Sequence, residues 1–161
     1  MELQNIYNLI NKKKFEEAKT KLIELVKKQT VSDNNLFYRG GIYKNIYFTL
    51  SQVCNQLNEL EKSIKYLKNH LNINKQDSEA LLNLANLYLR TRKIKKAEII
   101  YKRIIKIENN NIGALINLAF LYEGMGKINN AIKYYQIAKN LYPNNLNFYY
   151  NLIRISPDYL S

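Results

Sequence analysis

The sequence lacks several features that define whole classes of protein. It has a single cysteine among 161 residues, so no intrachain disulfide can form, and we expect the cytoplasm or another reducing compartment. It has no apolar run of about 18 residues, so we expect no transmembrane helix. Residues 1–5 lack the basic-then-apolar layout of a secretory signal, and we expect no signal peptide.

Motifs that carry catalysis or bind metals are also missing. The chain has no glycine-rich phosphate loop, no Cys-x-x-Cys pair, no histidine cluster and no serine elbow. We therefore predict no enzyme, no catalytic residue, no metal site and no cofactor. We expect Cys54 to be a buried, inert thiol. We expect His70, the one histidine, to be a partly buried packing residue, since a lone histidine cannot form a metal site.

Positive charge is in excess. Lysine and arginine number 25 against 13 acidic residues, which gives a net charge of +12 and an isoelectric point of about 9.6. This balance is compatible with an anionic partner, but it bears on solubility and association and not on fold. The length and the 47% hydrophobic content fit one globular domain.

A 34-residue pattern occurs twice in succession between Ser78 and Asn145. Seven apolar or small positions coincide after a shift of 34: Leu81/Leu115, Leu84/Leu118, Ala85/Ala119, Tyr88/Tyr122, Ile94/Ile128, Ala97/Ala131 and Tyr101/Tyr135. Spacings of three and four residues predict two amphipathic helices in each copy. The alanines mark where the two helices of a hairpin cross most closely, because a larger side chain there would hold the backbones apart.

The pattern resembles the tetratricopeptide repeat family. The second copy matches it at Leu115, Leu118, Ala119, Tyr122, Gly126, Ile128, Ala131, Tyr135, Ala138 and Pro143. The first copy matches at the seven equivalent positions above and departs at Arg92, Ile104 and Asn109, where Gly, Ala and Pro are usual. The resemblance implies an all-α fold of about nine helices, with tandem antiparallel hairpins stacked as a right-handed superhelix.

On this basis we predict a single tetratricopeptide repeat domain over residues 1–161. Its parts are a degenerate N-terminal hairpin (1–30, helices at 2–11 and 14–28), an insertion (31–43), three repeat units (44–77, 78–111 and 112–145) and a C-terminal capping helix (146–156). Asn144 or Asn145 is predicted to cap that last helix. Residues 31–35 look like a loop, and the single Arg-Gly-Gly at 39–41 is weak evidence for RNA binding, which relies on repeated copies.

The resemblance further implies that the first helix of each hairpin lines a concave groove. We therefore predict a non-catalytic protein-protein interaction scaffold that binds a peptide segment there. The candidate groove residues are Thr49, Gln52, Asn83, Asn86, Asn117, Phe120 and Asn151. Of these, Asn83, Asn117 and Asn151 recur at one position, and an amide can pair with any peptide backbone. The alternative is chance alignment in an asparagine-rich chain.

Some members of the family hold a peptide's C-terminal carboxylate with cations on the first helices. The matching positions here, including Phe48, Gln52 and Gly113, carry no cation, so we do not transfer that function. Most basic residues fall instead on the second helices: Lys62, Lys65, Lys68, Arg92, Lys93, Lys95, Lys96, Lys102, Arg103, Lys106, Lys127, Lys133 and Lys139. The alternative function is therefore binding of nucleic acid or of an anionic membrane surface through these convex helices.

The last helix is apolar on more than one side. Leu146, Tyr149, Leu152 and Ile153 are predicted to pack back on the preceding repeat. Phe148, Tyr150 and Ile155 cannot all share that stripe, so we expect exposed aromatic surface that mediates self-association or binds a second partner. The alternative is that Phe148 and Tyr150 form the floor of the groove.

Overall fold

The computed structural model describes residues 2–32 and 43–156. Within these ranges the chain forms nine α-helices and no strand. The helices are α1 (Glu2–Asn11), α2 (Phe15–Ser32), α3 (Tyr43–Gln56), α4 (Leu60–Ile73), α5 (Ser78–Arg90), α6 (Ile94–Ile107), α7 (Ile112–Gly124), α8 (Ile128–Leu141) and α9 (Leu146–Ile155).

The bends inside the hairpins share one backbone conformation. Lys13, Asn58, Arg92 and Gly126 have positive φ angles of 58°, 58°, 57° and 70°, and the last three are 34 residues apart. This left-handed residue ends the first helix of each hairpin and turns the chain toward the second. The prediction that a glycine supplies this conformation is confirmed for Gly126.

The first helices of the later hairpins begin with a side-chain cap. Asp77, Asn111 and Asn145, again 34 residues apart, each accept a hydrogen bond from a backbone N–H of the first turn. The distances are 3.0 Å from Ala80 to Asp77, 3.0 Å from Ala114 to Asn111 and 3.1 Å from Asn147 to Asn145. The predicted cap at Asn145 is confirmed, and the caps fix where each repeat begins.

Small residues mark the crossing point of each hairpin, as the sequence predicted. In the α3–α4 hairpin, the Ser63 hydroxyl donates to the backbone oxygen of Ser51 at 2.8 Å, so the two helices approach closely there. The equivalent residues of the next two hairpins, Ala85, Ala97, Ala119 and Ala131, are fully buried. A small side chain at this position lets the helices pack at short separation.

The chain divides into two compact units, residues 1–80 and 81–161. The first has a core cluster of Ile6, Ala18, Leu22, Ile46, Leu50 and Val53. In the second, a cluster of Leu115, Ala138 and Phe148 lies among α7, α8 and α9.

The end of the N-terminal hairpin differs from the prediction. Because no proline or glycine interrupts the chain, α2 continues to Ser32, so Val31 and Ser32 are helical and not part of a loop. At the other side of the predicted insertion, Tyr43 is already the first residue of α3. The rest of that insertion, with the Arg-Gly-Gly at 39–41, lies outside the described residues.

Candidate functional site

Two of the predicted groove asparagines are joined in the second unit. The Asn86 Oδ1 on α5 accepts hydrogen bonds from the Tyr101 hydroxyl at 2.5 Å and from the Asn117 amide at 3.2 Å. Burial raises the pKa of Tyr101 to about 12, so its hydroxyl stays protonated and donates. The contact links the first helices α5 and α7 through side chains and fixes both amides in place.

The other two asparagines of the recurring position are available for binding. Asn83 on α5 and Asn151 on α9 are half-buried. Within the described part of the chain, neither side chain makes a hydrogen bond, whereas Asn117 does. An amide has both donor and acceptor atoms, so each of these two can bind a backbone N–H or C=O group of a ligand.

Phe120 provides an apolar contact on the same helix as Asn117. Its side chain is 48% exposed, and its ring meets the edge of the Tyr135 ring at 5.8 Å and 89°. The Tyr135 hydroxyl in turn donates to Glu123 Oε2 at 3.3 Å. Burial and the adjacent carboxylate raise the pKa of Tyr135 well above its usual range. Phe120 is thus an exposed ring on a firmly held support.

The charges of the first helices α7 and α9 cancel. The Arg154 guanidinium binds both carboxylate oxygens of Glu123, at 2.5 Å and 2.8 Å. This pairing lowers the pKa of Glu123, with a smaller contribution from Tyr135. The pair therefore adds no net charge beside Phe120 and the asparagines.

Sequence reasoning missed the polar role of Tyr101 and Tyr135. Both are fully buried, and their hydroxyls reach the first-helix residues Asn86 and Glu123. Their recurrence at a spacing of 34 was visible in the sequence, and it indicated a repeated core position. Only the hydroxyl contacts show that these residues also position first-helix side chains.

In the first unit, the two predicted groove residues behave differently. Gln52 is exposed on α3, whereas Thr49 is 7% exposed. Thr49 shares a buried stripe with Ile46, Leu50 and Val53, at helical spacings of three and four residues. The placement of Thr49 as a groove-lining side chain is therefore corrected, because it offers almost no surface to a ligand.

The prediction that Phe148 is exposed is wrong. Its side chain is 0% exposed and packs against Leu115 and Ala138, with its ring 6.5 Å from that of Tyr142. Phe148 stands 34 residues after Ala114, another fully buried position. The inward face of α9 thus follows the inward face of α7, with an aromatic ring in place of a methyl group.

The outward face of α9 is corrected accordingly. Leu146 and Ile153, predicted to pack back on the preceding repeat, are 78% and 38% exposed. Tyr150 is exposed as predicted, at 67%, and Ile155 is half-buried. The apolar surface of the helix is therefore formed by Leu146, Tyr150 and Ile153.

Part of the basic surface on the second helices is bound within the chain. Lys102 donates to Glu98 at 2.6 Å, and this contact raises the pKa of Lys102 and lowers that of Glu98. The Lys62 ammonium donates to Glu59 at 2.9 Å. Lys96, Lys127 and Lys139 each lie over a tyrosine ring, at 5.8, 5.9 and 5.5 Å. Exposed lysines of this surface include Lys65, Lys68, Lys95, Lys106 and Lys133.

Cys54 and His70 belong to the core of the first unit. Cys54 is fully buried, as predicted, and burial raises the pKa of its thiol to about 11. His70 is more buried than predicted, at 1% exposure; its Nε2 lies 2.8 Å from Asp77 Oδ2 and its ring 5.4 Å from that of Phe48. Across residues 2–32 and 43–156 there is no His, Cys, Asp or Glu group suited to a metal ion. No helix in these ranges is long and apolar enough to cross a membrane.

Comparison with known proteins places these features in a family context. Residues 55–111 and 114–145, more than half of the chain, match sequence profiles described as tetratricopeptide repeat. A comparison with curated proteins gives no match.

Solved structures of similar fold include MamA from Desulfovibrio magneticus RS-1, with 14% identity, 98% of this chain and 82% of that chain covered, and a TM-score of 0.77. A tetratricopeptide repeat protein from Parabacteroides merdae has 14% identity, coverage of 98% and 60%, and a TM-score of 0.84. The first TPR of Spaghetti (RPAP3), bound to HSP90 peptide SRMEEVD, has 18% identity, coverage of 73% and 94%, and a TM-score of 0.64. The all-α fold of tandem helix hairpins is thereby confirmed.

Proposed function

The chain belongs to the tetratricopeptide repeat family, and we propose that it is a non-catalytic scaffold that binds a peptide segment of another protein. The segment lies on the first-helix face of the second unit, which we define by Asn83, Asn86, Asn117, Phe120 and Asn151. The likeness to a Spaghetti domain with a bound HSP90 peptide supports this mode of binding.

The observation that carries the proposal is the state of the asparagines. Asn83 and Asn151 are half-buried, and their amides have no hydrogen-bond partner in the described part of the chain. Between them in sequence, Asn117 is held by Asn86. Partly desolvated amides bind a peptide backbone more strongly than fully hydrated ones do, because less water must be displaced.

The chemistry of the face also indicates the kind of peptide. Glu123 and Arg154 neutralise each other, and the other residues of the face are amides and the exposed ring of Phe120. Backbone hydrogen bonds and one apolar anchor therefore dominate recognition. We expect a neutral extended segment with an apolar side chain opposite Phe120, and not a terminal carboxylate gripped by cations.

The test is affinity capture from native extract, with mass spectrometry to identify the partner. An Asn83→Ala, Asn117→Ala, Asn151→Ala variant should bind the captured peptide at least about tenfold more weakly, since each lost hydrogen bond costs about 1 kcal/mol or more. The matched control reverses Lys65, Lys68, Lys95 and Lys106 to Glu. These exposed residues lie on the second helices, so this control should retain the wild-type affinity.

The alternative function predicts the reverse result. If the main partner is a nucleic acid or an anionic membrane surface, the lysine-reversal variant loses it and the asparagine variant keeps it. Salt separates the two cases as well, because phosphate contacts weaken steeply as ionic strength rises, whereas apolar and backbone contacts persist at about 0.5 M salt. Loss of binding only in the lysine variant would overturn the proposal.

A further inference from the structure

Helix α9 carries an apolar stripe on its outward face. Leu146, Tyr150 and Ile153 follow one another at i, i+4 and i+7, so they lie on one side of the helix, and all three are exposed. The opposite side of the same helix is anchored through Phe148 and Leu152, which are both fully buried. The stripe is therefore held in a fixed position on the second unit.

The repeat pattern shows what this stripe corresponds to. One period earlier, on α7, the same positions are Ile112, Ile116 and Ala119. The two isoleucines pack against the core cluster of the second unit, and Ala119 is fully buried. Since α7 packs on α8 in the same hairpin, the stripe is the face on which a helix lies one repeat earlier.

The stripe is not shaped for a helix packed as closely as α8. Position 153 is the crossing position of the hairpins, and it is Ser51, Ala85 and Ala119 in the three preceding repeats. Ile153 is much larger, so it holds a covering helix farther away. A helix with bulky side chains of its own fits such a face, because large residues on both helices can interdigitate across the wider gap.

Charge indicates which helix that is. Arg154 is the only charged residue of α9, and Glu123 compensates it. Lys139 lies at the flank, over the ring of Tyr149. By contrast, α6 carries five cations against one carboxylate, Glu98. Two copies of a chain with a net charge of +12 repel each other, and the nearly neutral face of α9 minimises that repulsion.

We propose that two copies of this chain associate through their α9 stripes, packed antiparallel about a two-fold axis. In that arrangement Tyr150 meets the partner's Tyr150, and Leu146 meets the partner's Ile153. The stripe is self-complementary because Tyr150 lies in its middle with one aliphatic residue on either side. This association is independent of peptide binding, since it uses the side of α9 that carries Tyr150 and does not require Asn151.

The expected strength follows from the size of the face. A standard stable interface covers about 800 Å² per partner, and three exposed side chains offer well under that, so the dimer is weak and reversible. Its response to salt is distinctive. The contact is apolar while the two bodies are like-charged, so screening strengthens it. An interaction with an anionic partner would weaken under the same change.

Sedimentation equilibrium of the full chain tests the proposal at about 0.1 M and about 1 M salt, between which the screening length falls from about 10 Å to about 3 Å. Wild type should dimerise, with an association constant that rises severalfold at high salt. Tyr150→Glu should lower this constant at least about tenfold, because two carboxylates then meet at the axis. Tyr150→Lys should do the same, and a mixture of the two variants should recover association, since opposite charges then meet.

The matched control is Ile99→Glu on α6. Ile99 is 65% exposed, and its replacement changes the net charge by the same amount as Tyr150→Glu, so dimerisation should stay as in wild type. Circular dichroism checks that every variant keeps its helices. A wild type that stays monomeric at high salt, an equal effect of the Ile99 variant, or a mixture that fails to associate would each overturn the proposal.

Discussion

Two glycines at the end of α7 allow a sharp test of the hairpin geometry. Gly124 is the last residue of the helix, with no positive φ, whereas Gly126 adopts the left-handed conformation at φ 70°. A methyl group added to either glycine meets no atom within 4 Å. Replacement by alanine therefore changes backbone energetics at both positions and creates no steric clash.

The two substitutions should have opposite signs. In Gly126→Ala, the left-handed conformation costs about 1–2 kcal/mol, and the smaller entropy of the unfolded chain offsets about 0.4–1 kcal/mol of that. A net loss of about 0.5–1.5 kcal/mol results. In Gly124→Ala, the higher helix propensity of alanine stabilises by up to about 1 kcal/mol. The two variants should thus differ by about 1–2 kcal/mol in the free energy of unfolding.

Urea unfolding followed by circular dichroism measures this difference as a shift of the midpoint at constant slope. A thermal scan should separate the two variants by several degrees, since about 2–4 °C correspond to 1 kcal/mol at this chain length. Arg92→Gly, at the equivalent bend with φ 57°, should stabilise and so serves as the inverse control. If Gly126→Ala proves as stable as Gly124→Ala, the assigned left-handed bend is refuted.

Two further predictions concern pH and packing. Burial alone would raise the pKa of Asp77, but hydrogen bonds from the Ala80 N–H and from His70 lower it below the usual 3.8. The carboxylate therefore stabilises the fold above that value, and this contribution is lost as the pH falls through the folded pKa. Asp77→Asn should be less stable than wild type at about pH 6 and approach it at about pH 3; a gap that does not change with pH contradicts this. Phe148→Ala should cost about 3–5 kcal/mol in urea unfolding, against about 0.5 kcal/mol for Tyr150→Ala, and equal costs would contradict the assigned orientation of α9.

The sequence by itself determined the repeat. Its 34-residue period, the cap at Asn145, the left-handed Gly126 and the small residues at the hairpin crossings were all readable, because each depends on a few neighbouring residues. Spacings of three and four residues select the buried stripe wherever polar residues occupy the remaining positions. That condition holds for the helices between Ser78 and Asn145.

Only the tertiary structure decided the orientation of α9. This helix has apolar residues on several sides, so periodicity alone allowed either Phe148 or Leu146 to face inward. Packing against Leu115 and Ala138 selects Phe148, because that position faces inward throughout the stacked hairpins. The bond between Asn86 and Asn117 joins residues 31 apart, and so does the pairing of Glu123 with Arg154. Such contacts form only when neighbouring hairpins stack, and no local spacing encodes them.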